Sequence, residues 1–311
     1  MNNLKKYKVI YFTNCENGFY NLQNLEKIVS ISAIVTFNKK AKISDISGFV
    51  DVSKFGKEKR IKVIELDDYN KLNIDQIKSL DFNLIIVNGW SRLIPKNLIL
   101  MSKYGAIGVH AGHPPVGHGR APVPWNIIYG FEDLEVYTFF LTENADDGDI
   151  LKKKVVEISK FETAKTLYEK VTYVADILII QSLKNLESIT PVKQNLNFSS
   201  FYKKRTKKDS LLNFNQKAMT VYNFIRALSD PYPNAFTFLE KKKYYVKKSI
   251  PFDKFLFRNI QRNPGEIIQT FPSGLIVMTQ DFPILLEEIY DKDIRVKTVW
   301  NDPKFRGKKF L

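Results

Sequence analysis

The chain has 311 residues, 44% of them hydrophobic and 26% charged, with a formal net charge of +15 and a single cysteine, Cys15. That length suits two domains that each bury a core, and the composition excludes a disordered or collagen-like chain. No apolar run reaches the roughly 18 residues of a membrane span, the start MNNLKKYKVIYF lacks a signal-peptide cleavage site, and a lone cysteine excludes an internal disulfide, which fits a cytoplasmic protein.

Four short apolar, β-rich runs come first: KVIYFT (Lys8–Thr13), SAIVTF (Ser32–Phe37), KVIEL (Lys62–Leu66) and NLIIVNGW (Asn83–Trp90). Near-continuous apolar runs of this length predict strands buried on both faces of a parallel sheet. Helical segments such as YNLQNLEKIVS and NIDQIKSLD fall between them. The alternation predicts an α/β fold, a doubly wound and mostly parallel sheet. GAIGVHAG reads as a further strand with its exit loop, and LEVYTFFLT (Leu134–Thr142) as another. Glu162–Ser188 reads as a long helix with Thr163 as its N-cap. The texture then turns polar and basic, which places a catalytic domain at 1–190, a linker at 191–210 and a smaller domain at 211–311. In the last part, Val221, Phe224, Ile225 and Leu228 keep helical spacing. NAFTFLE, KKYYVKK, GEIIQTFPSGLIVMT and FPILLEEIY predict short strands of a β-barrel-like domain.

All three histidines, His110, His113 and His118, fall within YGAIGVHAGHPPVGHGRAPVPWNIIYG (Tyr104–Gly130). Open α/β sheets bind ligands outside the carboxyl ends of their strands. GVHAG, VNGW and the loop TENADDGDI after LEVYTFFLT are all expected there. A metal site would use the three histidines with Asp146, Asp147 and Asp149. Their spacing matches no common zinc pattern and no cysteine cluster supports it, so no metal is expected. His113 and His118 read as histidines that bond backbone in a Pro/Gly loop. His110 ends a buried strand, and with Asp146 beside it would form the usual kit for moving a proton near neutral pH. The positive charge suits either a solvated lysine surface or a phosphate-bearing partner, and does not separate RNA from a small nucleotide.

At these residues the sequence resembles the folate-dependent formyltransferases, most closely the sugar N-formyltransferases. The family signature is Asn-x-His, then a loop ending in Pro-x-x-Arg-Gly, then Asp-x-Gly after the next strand. The matching positions read Gly108-Val109-His110, Pro115-Val116-Gly117-His118-Gly119 and Asp146-Asp147-Gly148. GRAPVPW (Gly119–Trp125) is similar to the sugar-nucleotide branch. KKRTKKDSLLNFNQKAMTVYNFIRALSDPYPNAFTF and NPGEII (Asn263–Ile268) resemble the barrel-like domain of the tRNA and sugar enzymes. The departures are Gly108 for Asn, His113-Pro114-Pro115 for Leu-Leu-Pro, and His118 for Arg. A subgroup near polysaccharide genes also carries Gly-x-His. Losing an oxyanion donor typically costs ~2.7–4 kcal/mol in the barrier. A backbone N–H, a water in the space Gly108 leaves, or Asn88 at the end of the neighbouring strand would be the replacement.

The resemblance implies N10-formyltetrahydrofolate as co-substrate and a primary amine as acceptor. It implies that His110 stabilises the oxyanion or protonates the leaving folate nitrogen, and that Asp146 orients and charges His110. It places the pterin beside Trp90, Arg92, Leu93 and Ile94 with Asp146 and Asp147. Arg120, Arg205 and Arg226 are candidates for an acceptor phosphate, and Tyr232 for stacking on a base or sugar. The expected acceptor is a nucleotide-linked amino sugar for surface polysaccharide, lipopolysaccharide or glycan synthesis. The alternatives are methionyl-tRNA formylation, or a folate-binding protein whose turnover Gly108 has cost it. The sugar branch often forms homodimers.

Overall fold

The computed structural model describes residues 4–38, 47–67, 72–258, 260–291, 294–295 and 302–311. The chain forms two compact units, neither continuous in sequence. The first takes Met1–Pro122, Asp133–Glu157 and Leu167–Lys204, and the second Val123–Glu132, Ile158–Thr166 and Arg205–Leu311.

The first unit alternates as the hydrophobic pattern predicts. β1 (Lys8–Phe12), α1 (Glu16–Leu25), β2 (Ser30–Phe37), α2 (Ser53–Lys59), β3 (Lys62–Leu66), α3 (Ile74–Lys78), β4 (Leu84–Val87), α4 (Lys96–Leu100) and β5 (Ala106–Gly112) follow in order. α1 starts earlier than the sequence suggests, because Cys15 at its N-cap makes no side-chain cap and leaves no start signal. Next come β6 (His118–Gly119), α5 (Pro122–Tyr129), β7 (Asp133–Phe140), β8 (Ile150–Glu157), α6 (Ala164–Asn185) and β9 (Phe201–Tyr202). The large sheet has the order β3-β2-β1-β4-β5-β7-β8. β1 to β5 run parallel, whereas β7 and β8 pair antiparallel. The sequence hides β8, because lysines 152–154 interrupt its apolar run. Ile150, Leu151 and Val156 turn inward while Lys153 and Lys154 stay exposed, as an outer strand allows.

Both faces of the sheet are buried. Val9, Tyr11, Ile34, Ile86 and Ile107 pack with Ile179 and Leu183 of α6 on one side. Ile10, Phe12, Val35, Ile64, Ile85 and Ala106 pack on the other, with Leu98 of α4. Each such side chain contributes about 1.5–3 kcal/mol by leaving water. α6 starts with a reciprocal cap: Thr163 N–H donates to Thr166 Oγ1 (3.0 Å) and Thr166 N–H to Thr163 Oγ1 (3.3 Å).

The second unit recruits two early segments. Arg226 on α7 (Ala218–Ala227) donates from Nη1 to the carbonyls of Ser159 (3.0 Å) and Glu162 (2.6 Å), and Tyr222 Oη donates to Lys160 O (2.8 Å). Its strands are β10 (Ala235–Leu239), β11 (Lys242–Pro251), β12 (Ile267–Phe271), β13 (Gly274–Val277), β14 (Ile284–Asp291) and β15 (Ile294–Arg295). They run in the antiparallel order β10-β11-β14-β13-β12, with β15 also on β14. The last residues lace the two outer strands together. Ile267 N–H donates to Lys308 O (2.8 Å), Phe310 N–H to Gly265 O (2.9 Å), and Leu311 N–H to Phe238 O (3.1 Å). Phe310, 1% exposed, stacks on Phe214 inside. Phe310→Ala is therefore expected to cost about 3–5 kcal/mol in urea unfolding, with loss of the closure that the tail provides.

Candidate functional site

β5 ends the parallel part of the sheet and carries Gly108 and His110 on the face away from α6. Directly across the β5–β7 ladder, Gly108 pairs with Phe139 and His110 with Tyr137. Because β7 is antiparallel, its carboxyl end lies beside the start of β5, where Leu141 N–H bonds Ala106 O. The loop 141–149 therefore leaves from the end of the sheet opposite to the one expected from the sequence. It reaches His110 by folding back, and two features make the return. Gly148 admits the carbonyl of Phe140, whose oxygen would lie 1.7 Å from any added Cβ, so the third place of Asp-x-Gly takes only glycine. Asp146 adopts a left-handed backbone (φ 59°), rare for a non-glycine residue, and accepts the N–H of Gly119 at 2.8 Å.

The outcome is a pair: His110 Nδ1 lies 3.6 Å from Asp146 Oδ2, with both side chains largely buried. His110 Nε2 lies 3.2 Å from Gly117 O. One ring nitrogen thus lies within hydrogen-bond distance of a carbonyl and the other within ion-pair distance of a carboxylate.

A strap holds these loops. Val192 pairs with Ile150 through two 2.8 Å main-chain bonds, and Ser200 O accepts the N–H groups of Gly117 and His118. Gln194 Nε2 donates to the carbonyls of Asp146 (2.8 Å) and Gly148 (2.7 Å), which leaves its Oε1 to accept from His118 Nε2 at 3.1 Å. Residues 192–202, which the sequence suggests are linker, are therefore fastened along the site. His118 is fully buried and neutral: burial pulls its pKa down, against the smaller opposing effects of Gln194 and Asp146. His113 Nε2 meets Asp133 Oδ1 at 2.9 Å. The three imidazoles so engage three separate partners, and among the described residues no group of three His, Cys, Asp or Glu is placed to hold a metal ion.

The space beside Gly108 is taken by neighbouring side chains. A Cβ there would lie 2.6 Å from the Phe139 ring and 2.9 Å from Leu141, which fill the room. Asn88, 3% exposed, donates its amide to Asn21 Oδ1 at 2.7 Å, and Asn21 reaches Asp176 on α6. Its amide is committed to the scaffold on the α6 side. Trp90 stacks on Phe37 (4.6 Å, 6°). Ile94 is a core residue at 4% exposure, whereas Leu93 is 59% exposed. Arg92 Nη1 bonds Ser91 O, and Arg120 Nη2 reaches that same carbonyl at 2.6 Å, tying the GRAP loop to the β4 exit. Asp147 accepts from Thr142 Oγ1 and from Asn144 Nδ2 (2.8 Å), so its carboxylate shapes its own loop.

In the second unit, Arg205 lies over Trp125 (4.8 Å) and Phe224 (5.4 Å) and is partly buried, with its pKa lowered by that burial. Arg226 spends its guanidinium on Ser159, Glu162 and Asn223, which gives it a structural task in place of the expected phosphate contact. Tyr232 packs on the barrel core. Cys15 donates its thiol to Asn17 Oδ1 and Gly89 O, and burial pushes its pKa up to about 12, so it is no nucleophile at neutral pH.

Residues 11–183 match the family model described as formyl transferase, and residues 204–303 the one described as formyl transferase, C-terminal domain. The chain belongs to the formyl transferase family. It is 28% identical to the bifunctional polymyxin resistance protein ArnA of Wigglesworthia glossinidia brevipalpis, over 98% of this chain and 46% of that one. The chain thus spans about half the length of that curated relative. It is 31% identical to a methionyl-tRNA formyltransferase of Ruminiclostridium cellulolyticum, over 79% of each chain. Its fold is similar to the N-formyltransferase of Helicobacter canadensis solved with folinic acid and dTDP-3-aminofucose (TM-score 0.63, 17% identity, 90% of this chain and 99% of that one).

Within this candidate site, sequence reasoning missed Gln194, Tyr137 and Phe139. Gln194 sits in a stretch with no periodicity, and only the β5–β7 register brings the two aromatic residues to His110 and Gly108. Two outcomes follow for the formyl transferase domain. Gly108→Ala is expected to destabilise it by about 1–3 kcal/mol through overpacking, read by chemical denaturation. His118 contributes stability in full above about pH 6.5, the ordinary histidine value, and loses it as pH falls toward the lower folded-state pKa, because the unfolded chain takes the proton first. His118→Gln should therefore lose less stability than the parent between about pH 7 and about pH 5.

Proposed function

We propose that this chain transfers a formyl group from N10-formyltetrahydrofolate to the amine of a nucleotide-linked amino sugar, for surface polysaccharide or glycan synthesis in the cytoplasm. The observation that carries the reading is the His110–Asp146 pair at 3.6 Å, standing at the family's His and Asp-x-Gly positions. The sugar is favoured over tRNA by the GRAPVPW segment and by a fold shared over 90% of the chain with an enzyme solved with dTDP-3-aminofucose.

The β4 exit suits a folate. Trp90 Nε1–H is buried without a partner among the described residues, and Leu93 stands exposed near it. These offer an unmet donor and an apolar surface to a flat ring carrying acceptors. The folate supplies an activated formyl carbon when bound. The chain's own residues do the rest. Nε2–H of His110, resting on the Gly117 carbonyl, is the proton offered to the charge that gathers on the formyl oxygen or to the departing nitrogen. Asp146 balances the imidazolium and is itself fixed by Gly119 N–H, so it is ready to take the amine's proton. Of the two candidate arginines in the second unit, Arg205, held over Trp125, is the one proposed for a phosphate.

Methionyl-tRNA formylation is the second reading, favoured by curated relatives of that name and by the net charge of +15. It requires RNA binding that weakens steeply with salt. The test is a formyl-transfer assay with UDP-, dTDP- and GDP-linked amino sugars beside charged initiator tRNA. Turnover is expected on one sugar and should fall by about 10²–10⁴-fold in His110→Ala. Turnover on tRNA alone overturns the sugar reading, and folate binding with no turnover on any acceptor supports a binding protein.

A further inference from the structure

The transfer centre contains one buried hydroxyl that nothing in the resting protein uses. Tyr137 is fully buried on β7, directly across the ladder from His110, and its ring stands edge-on to the imidazole at 5.7 Å and 66°. Its Oη finds no hydrogen-bond partner among the described residues. A buried unpaired hydroxyl costs free energy that phenylalanine in the same space would not, so its retention calls for a partner in another state. Burial, and after it the charges of Asp146 and Glu135, hold the phenol pKa well above its usual range, so it stays an O–H donor. The other donors weighed for this face are spent or absent. Asn88 donates to Asn21, and the Phe139 ring takes the room beside Gly108.

We propose that Tyr137 is a positioning residue of the His110–Asp146 pair, its hydroxyl being the reserve hydrogen-bond donor to the Asp146 carboxylate when His110 has given up its proton. While His110 carries two protons, Asp146 has a cation beside it and the N–H of Gly119. Once the imidazole is neutral, the carboxylate loses its counter-charge in a poorly hydrated place. A neutral O–H on the strand that faces His110 would then stabilise it. The charged and titratable groups around the pair are Asp146 and Asp147 from the loop, His118 from β6, Tyr202 from β9 with its hydroxyl against Gly117, Glu135 on β7 and Tyr137 itself. Of these, Tyr137 is the one that stands directly across the ladder from His110.

The proposal rests on the formyl-transfer reading only for its effect on turnover; its effect on His110 is independent of any acceptor. Tyr137→Phe removes the hydroxyl and keeps the ring. With only three histidines in the chain, the imidazole signals can be assigned by single substitutions and titrated by NMR. The expected result is a His110 midpoint moved to higher pH, because the neutral imidazole has lost its stabilised neighbour, with thermal stability equal to or above the parent's. Where an acceptor is known, turnover falls about tenfold, the worth of one hydrogen bond to a charged group. An unmoved His110 midpoint overturns the proposal whatever turnover does, and so does a loss of stability, which would give the hydroxyl a structural partner. A parent protein that transfers no formyl group to any acceptor, with the midpoint shift still present, overturns the transfer reading and leaves the role of Tyr137 intact.

Discussion

The site depends on a carboxylate being brought back from the wrong end of a sheet. β7 runs against its neighbours, so the loop that follows it begins beside the first residues of β5, not beside His110. A side-chain network cannot make that return by itself, because the loop's polar backbone must also be paired. The chain solves both problems with main-chain chemistry. The Phe140 carbonyl sits where a Cβ of residue 148 would be, and the N–H of Gly119 receives Asp146. The imidazole–carboxylate pair and the fit of the strap follow from this.

The parallel part of the fold was legible because strands buried on two faces leave unbroken apolar runs, as KVIYFT and NLIIVNGW do. β8 was not, because a strand with one wet face spends its outer positions on lysines. His110 and Asp146 could be paired from sequence, through the order of the motifs. Gln194 could not, since its work is done by two carbonyls and one imidazole that have no sequence signature. Asn88 and Arg226 show the opposite failure. Both are polar residues near motif segments, and both turn inward to satisfy buried groups of the scaffold.

The histidine loop spends its imidazoles in three different ways. His110 faces a carboxylate and a carbonyl, His113 meets a surface aspartate, and His118 is buried neutral against an amide. Desolvation disfavours the charged form of His118. Similar side chains a few residues apart thus stand in different surroundings, set by the partners that the strap and the folded-back loop supply.

The second unit begins inside the first. Its helix α7 closes on carbonyls at 159 and 162, and its Arg205 rests on Trp125, all placed in the chain before α6. No single cut in the polypeptide separates the two units. A hybrid joined once near residue 205 would graft a foreign barrel onto segments 123–132 and 158–166 that were shaped for this one. Recombination between relatives, in nature or in the laboratory, can exchange the whole second unit only by carrying its three separate segments together.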